Sequence, residues 1–120
     1  MNNYPLIEKT YCFILFIIPI LRKFPKDQRY LIAQEIEKKS LALLENYQKA
    51  IYFPKTRAQI LTENNFILET LRTLWRLAKD LGYVNFRKFG LVVEQIEVIG
   101  KMTGGWLKSE FNLKNSSEYF

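Results

Sequence analysis

The sequence predicts an all-α protein, an up-down-up-down four-helix bundle formed by residues 1–111 of the 120. Three observations lead to this fold class. Prolines and a glycine divide the chain into four segments, at Phe24-Pro25, Phe53-Pro54 and Leu81-Gly82. Apolar residues recur at spacings of three and four within each segment, and no strand-like alternation of useful length is present. Because the connections are short, consecutive helices are expected to be antiparallel neighbours, which gives the bundle.

The first helix carries apolar residues on two faces. The stripe predicted to face the core consists of Ile7, Tyr11, Ile14, Ile18 and Leu21. The opposite face is apolar as well and consists of Phe13, Phe16, Ile17, Ile20 and Phe24. Since a helix that is apolar all round must be buried on both sides, this second face predicts a homo-oligomer in which the helix packs against a neighbouring copy. Pro19 is expected to bend the helix rather than to end it.

Each of the other three helices has one apolar face. The predicted core residues are Ala33, Ile36, Ser40, Leu43, Tyr47 and Ala50 in the second helix, Leu61, Asn64, Leu68, Leu71, Trp75, Ala78 and Leu81 in the third, and Phe89, Val92, Ile96, Ile99, Thr103 and Trp106 in the fourth. Pro25 and Pro54 suit the first turn of a helix, where a missing N–H has no cost. Gly82 suits a helix C-terminus, and Asn85 suits the N-cap of the last helix.

The pattern changes near the end of the chain. Gly100 and Gly104 share one face of the last helix, although each glycine weakens a helix by roughly 1 kcal/mol. Close approach of another backbone is one explanation, and an end of the helix before Trp106 is the other. The first is favoured because the apolar spacing continues to Trp106. From Asn112 the periodicity is lost, so residues 112–120 are predicted to form a frayed tail.

The composition excludes most enzyme chemistry. The chain has no histidine and one cysteine, Cys12, so it lacks a histidine general base, a Ser-His or Cys-His pair and the usual zinc ligands. We therefore expect a non-catalytic protein without a cofactor or a metal site. The apolar run at residues 11–21 is shorter than the roughly 20 residues that a membrane-spanning helix needs. This length favours a buried helix in a cytoplasmic protein with no membrane partner.

Basic residues outnumber acidic ones by 18 to 12, and they are clustered. Arg72, Arg76 and Lys79 form one stripe on the third helix, and further basic residues surround the starts of the second and fourth helices. An arginine side chain donates two parallel hydrogen bonds to a phosphate, so one interpretation is a nucleic-acid partner. A solvated helix face is the alternative. Most aromatic residues lie on core stripes, whereas Tyr83 and Phe86 stay open as residues that could stack on bases.

Three motifs resemble the accessory variability determinant (Avd) family of diversity-generating retroelements. The run FPKDQRY at residues 24–30 is similar to the F-P-[KR]-x-Q-R segment that opens the second helix of that family. The runs LWRLAKDLGYVNF and IGKMTGGWLK are similar to its third helix and its terminal motif. The resemblance implies a four-helix bundle that assembles into a homopentameric barrel. It also implies a non-catalytic protein that binds the reverse transcriptase and template RNA or complementary DNA to support mutagenic retrohoming.

The resemblance carries the binding role to nine basic residues, which are Arg22, Lys26, Arg29, Arg72, Arg76, Lys79, Arg87, Lys88 and Lys101. Two other hypotheses remain open. One is the four-helix-bundle family encoded within ribosomal RNA intervening sequences, which shares the architecture and an association with RNA. The other is a purely structural or protein-binding helical oligomer whose charge serves solubility. A reverse transcriptase gene beside this one would favour the Avd hypothesis over the first alternative.

Overall fold

The computed structural model describes residues 4–118, without the side chains of Tyr4, Gln28, Arg29 and residues 114–118. Four α-helices make up this part of the chain, which contains no strand: α1 Tyr4–Leu21, α2 Gln34–Tyr52, α3 Arg57–Asp80 and α4 Phe86–Glu118. A 3₁₀ turn (Lys26–Gln28) and a π-helix (Arg29–Ala33) lead into α2. Helix α1 packs against α2 and α4, and α3 packs against the same two helices. The predicted all-α class and the four helices are confirmed.

The core faces predicted for α2, α3 and α4 are confirmed almost completely. Buried side chains follow the expected spacing from Ile36 to Ala50, from Leu61 to Ala78 and from Val92 to Trp106. Leu81 is the exception: it lies just after α3 and is about half exposed. The apolar periodicity of these helices therefore identifies the face that each one turns toward the core.

The two faces of α1 were assigned correctly only in part. Phe13, Ile17, Ile20 and Phe24, predicted to contact a neighbouring copy, are buried within this chain, and Phe16 is half-buried against the same core. Tyr11, predicted to be in the core, is about half exposed, as is Leu15. Ile14 and Leu21 are buried as expected. Because both faces of α1 are apolar, periodicity could not show which of them α2 and α4 cover.

Phe24 joins the connection after α1 to the end of α3. Its ring is 1% exposed and meets the Trp75 ring edge-on, with 6.0 Å between centroids. The centroid of the Tyr83 ring lies 5.6 Å from that of Phe24. Phe24 therefore fixes the position of the chain segment that enters the second helix.

The turn between α3 and α4 is built as the sequence predicts. Gly82 has a φ of 81°, which L side chains rarely adopt. Its N–H donates to the Lys79 carbonyl at 2.9 Å, and the Tyr83 N–H donates to the Ala78 carbonyl at 2.9 Å, as in a Schellman motif. Asn85 then accepts a hydrogen bond from the Lys88 N–H at 2.8 Å, so the predicted N-cap is confirmed.

Tyr47, Asn64 and Thr103 are hydrogen-bonded inside the core across three helices, whereas Trp75 Nε1 is buried with no partner among the described residues. Thr103 donates its hydroxyl proton to the Ile99 carbonyl at 2.8 Å, so the Tyr47 hydroxyl, 2.5 Å away, donates to Thr103 Oγ1. Asn64 Nδ2 donates to the Leu43 carbonyl at 3.0 Å. Burial raises the pKa of Tyr47 to about 12, so the hydroxyl remains a neutral donor. These bonds explain why polar residues can occupy core positions.

An arginine ties α2, α3 and α4 together at the end of the bundle where α2 ends. Arg57 Nη1 lies 2.6 Å from Glu110 Oε1, and Arg57 Nε donates to the Ala50 carbonyl at 2.6 Å. Its Nη2 donates to the Ile51 carbonyl at 3.3 Å, and the guanidinium lies 5.7 Å from the Trp106 ring centroid. Arg57 thus supplies partners for carbonyls in the last turn of α2, which have no partner within the helix.

Neither explanation proposed for the glycines of α4 holds within the chain. The helix continues through Gly100 and Gly104 to Glu118, past residue 111, where the bundle was predicted to end. A Cβ at Gly100 would lie 3.9 Å from Leu68 Cδ1, an ordinary contact, and one at Gly104 would meet nothing within 4 Å. No close backbone approach therefore requires these glycines.

Among residues 4–118, no helix combines the length and apolar character needed to cross a membrane.

Candidate nucleic-acid interface

One end of the bundle accounts for the whole net charge of the chain. Residues 22–29 and 76–88 contain eight basic and two acidic residues, a net charge of +6. The remaining sequence contains ten of each and is neutral. We call the end formed by these two segments the basic end.

The fold brings the two segments together although they are far apart in sequence. Residues 22–29 connect α1 to α2, and residues 76–88 span the end of α3, the turn and the start of α4. In an up-down-up-down bundle both connections lie at the same end. The contact between Phe24 and Tyr83 shows that they meet.

The last turns of α3 contribute two predicted residues. Arg76 Nε and Lys79 Nζ approach the Asp80 carboxylate at 3.9 and 3.5 Å. Lys79 Nζ also lies 4.8 Å from the centroid of the Phe89 ring, which holds the ammonium group between α3 and α4. One aspartate cannot neutralise both cations, so positive charge remains at this position.

The two connections and the start of α4 contribute further cations. Arg22, Lys26 and Arg87 are exposed, and Lys88 is half-buried. Arg87 and Lys88 border a groove of about 560 Å³ between α1 and α4, whose apolar lining includes Leu15. The side chain of Arg29 lies outside the described residues, although its position is within the basic end.

Arg72 and Lys101 do not belong to the basic end. They line a separate groove of about 370 Å³ between the middle parts of α3 and α4, together with Glu69 and Glu97. Arg72 Nη1 pairs with Glu69 Oε1 at 3.2 Å. Its Nε is buried, with no hydrogen-bond partner among the described residues. Two carboxylates balance two cations in this groove, which makes it a weaker anion site than the basic end.

Comparison with known proteins identifies the family. A family model described as bAvd-like matches residues 6–110. The chain belongs to the bAvd-like family. The resemblance seen in the three sequence motifs is therefore confirmed. A search of curated proteins found no match.

In this bAvd-like protein, the family match includes both segments of the basic end. It also includes the groove lined by Arg72 and Lys101, which we call the central groove. All nine basic residues predicted from the sequence lie within residues 6–110. The match thus covers every candidate contact residue, and the structure divides them into seven at the basic end and two in the central groove.

Sequence reasoning missed one exposed ring beside the basic end and left a second one open. Tyr30 appeared only as part of a motif, yet it is 81% exposed. Phe86, left open as a stacking residue, is 80% exposed. The residue type and its basic neighbours were visible in the sequence, but the outward direction of these rings was not.

Proposed function

We propose that this protein is a non-catalytic accessory subunit of the reverse transcriptase of a diversity-generating retroelement. It binds the enzyme together with template RNA or complementary DNA and so supports mutagenic retrohoming. The family match supports the accessory role. The observation that carries the nucleic-acid role is the concentration of net positive charge at one end of an otherwise neutral bundle. Several cations on one surface displace counterions from a phosphate backbone together.

The polymerase role is tested by co-purification of the protein with the reverse transcriptase of the same retroelement. We expect the immobilised protein to retain the reverse transcriptase. If the enzyme does not bind, the accessory role is refuted. A protein of the ribosomal intervening-sequence type or a purely structural oligomer would not retain the enzyme.

The nucleic-acid role is tested with the template RNA at several salt concentrations. We expect Lys26→Ser/Arg87→Ser to weaken binding and to lower the slope of log affinity against log salt by about 1.5 to 2. The matched control is Lys55→Ser/Lys108→Ser, which removes the same charge from exposed positions outside the basic end. Equal losses in the two variants would show that only the total charge matters and would contradict a localised site.

We further propose that the protein assembles as a homo-oligomer, a pentamer as the family resemblance implies, through the outer surface of α1 and α4. This surface is apolar and includes Tyr11, Leu15, Leu91 and Val98, all partly exposed. The groove between the two helices adds Phe16 and Pro19 to it. It keeps Phe16 from the α1 face predicted from the sequence, whose other side chains the core already covers.

For this assembly we expect Leu15→Glu to reduce the mass measured by light scattering to that of a single chain while the helical circular dichroism is retained. A charge placed in an apolar interface loses hydration without gaining a partner. Phe66→Glu on α3 is the matched control, because Phe66 is also exposed but lies on another helix. A Leu15→Glu protein with the wild-type mass would refute the proposed surface.

A further inference from the structure

We propose that the basic end binds single-stranded nucleic acid by stacking bases on Tyr30 and Phe86 while the surrounding cations contact the phosphates. The proposal extends the nucleic-acid role given above and rests on it. The new element is that the ligand is a strand with unpaired bases. Tyr30 and Phe86 are the side chains that would distinguish such a strand from a duplex.

Both rings are among the most exposed large side chains of the described residues. Tyr30 is 81% and Phe86 80% exposed, and Tyr52, which lies outside the basic end, is 79% exposed. Exposure alone therefore does not distinguish the two rings, whereas their basic neighbours do. Phe86 stands within the basic end beside Arg87, and Tyr30 directly follows its first segment beside Arg29. Aromatic side chains next to basic ones form the combination that binds unpaired bases and the backbone joining them.

Tyr30 lies in the short π-helix Arg29–Ala33 that leads into α2. It precedes the buried residues Ala33 and Ile36 by three and six positions, which in a regular α-helix are about 60° and 120° away, so Tyr30 lies at the edge of the buried face. A π-helix has more residues per turn than an α-helix, so side chains within it point in other directions than the spacing of α2 predicts. Short π-helical segments are frequent at functional sites.

The turn before α4 explains the exposure of Phe86. Val84 is buried and Tyr83 packs against Phe24, so these two residues cover the core at this point. Asn85 caps the helix, and Phe86, its first residue, lies beyond the covered surface. Because the Phe86 ring is 80% exposed, it contributes little to the packing of the core.

The positive charge around the rings favours a nucleic-acid strand over an apolar protein surface as the ligand. The basic end has a net charge of +6, and bringing an uncharged apolar surface against it would remove hydration from several cations without pairing them. A phosphate backbone supplies the pairing charges. A duplex would use the cations as well, but its bases are stacked inside and cannot reach the rings.

The experiment measures binding of fluorescent oligo(dT) and oligo(U) of about 20 nucleotides, and of a duplex of the same length, by anisotropy. We expect Tyr30→Ala and Phe86→Ala each to weaken binding of the single strands by about 5- to 100-fold. Phe86→Trp should retain wild-type affinity because it keeps an aromatic face. Duplex binding should be unchanged in all three variants.

Salt separates stacking from charge. The aromatic variants should lower single-strand affinity by the same factor at every concentration between about 50 and 200 mM salt, because they remove no phosphate contact. The matched control is Tyr52→Ala/Phe66→Ala, in which the rings are 79% and 62% exposed but lie outside the basic end. Its affinity should equal that of the wild type.

The outcomes separate this proposal from the function on which it rests. Single-strand affinity unchanged in Tyr30→Ala/Phe86→Ala would overturn the stacking site, even if the protein retains the reverse transcriptase and the template RNA. The same result accompanied by loss of the reverse transcriptase would assign the rings to a protein partner and would also overturn it. The expected loss of single-strand binding in a protein that fails to retain the enzyme would support the stacking site and refute the polymerase role.

Discussion

Phe24→Ala is expected to lower the free energy of unfolding by about 3–5 kcal/mol. The side chain is 1% exposed and contacts both the Trp75 and the Tyr83 ring. Its removal takes away apolar contacts and leaves a cavity that two large rings cannot readily fill. Because a domain of this size is stable by only about 5–15 kcal/mol, the variant should unfold at a much lower urea concentration than the wild type.

The matched control is Phe66→Ala. Phe66 has the same side chain but is 62% exposed on α3, so its truncation should change the free energy of unfolding by less than about 0.5 kcal/mol. Urea titrations followed by circular dichroism, all at one protein concentration, compare the three proteins. A Phe24→Ala variant as stable as the control would show that Phe24 does not belong to the core, and would restore the face of α1 first predicted to bind a neighbouring copy.

Three helices could be oriented from the sequence because each has a single apolar face. Even their polar core positions followed the pattern, and the structure shows how Ser40, Asn64 and Thr103 are satisfied, by hydrogen bonds to carbonyls of their own or a neighbouring helix. Helix α1 could not be oriented in this way. Its apolar surface exceeds what two neighbours cover, and the contacts that decide which part is buried come from α2 and α4.

The candidate site was predicted in part. Cations are visible in a sequence, but only the fold shows that residues 22–29 and 76–88 meet while Arg72 and Lys101 lie in another groove. The direction of Tyr30 was beyond periodicity for a different reason. Tyr30 lies in a π-helix, which breaks the spacing of three and four on which the pattern depends.

The two ends of the bundle use their charges differently. At the end where α2 stops, the Arg57 and Glu110 side chains pair with each other and are only 21% and 11% exposed. At the basic end, cations outnumber carboxylates by eight to two. The first arrangement stabilises the fold, whereas the second leaves charge available to a ligand.

For this reason Arg57→Ala is expected to lower the free energy of unfolding by about 2–3 kcal/mol. The substitution leaves the Glu110 carboxylate without its partner and removes the donors that bind the Ala50 and Ile51 carbonyls. Partial exposure of Arg57 keeps the cost below that of a fully buried ion pair. Urea titration at one protein concentration measures the change.

A double variant shows how much of this loss comes from leaving the Glu110 carboxylate unpaired. In Arg57→Met/Glu110→Leu both charges are replaced by apolar groups, so no buried charge is left unpaired and much of the stability should return. The exposed pair Lys49–Glu45, at 3.4 Å on α2, is the control. Lys49→Ala should cost less than about 0.5 kcal/mol. If Arg57→Ala cost no more than Lys49→Ala, the pair would contribute no more than an exposed surface contact. The packing of α2, α3 and α4 at that end would then depend on apolar contacts such as those of Ala50, Leu61 and Trp106.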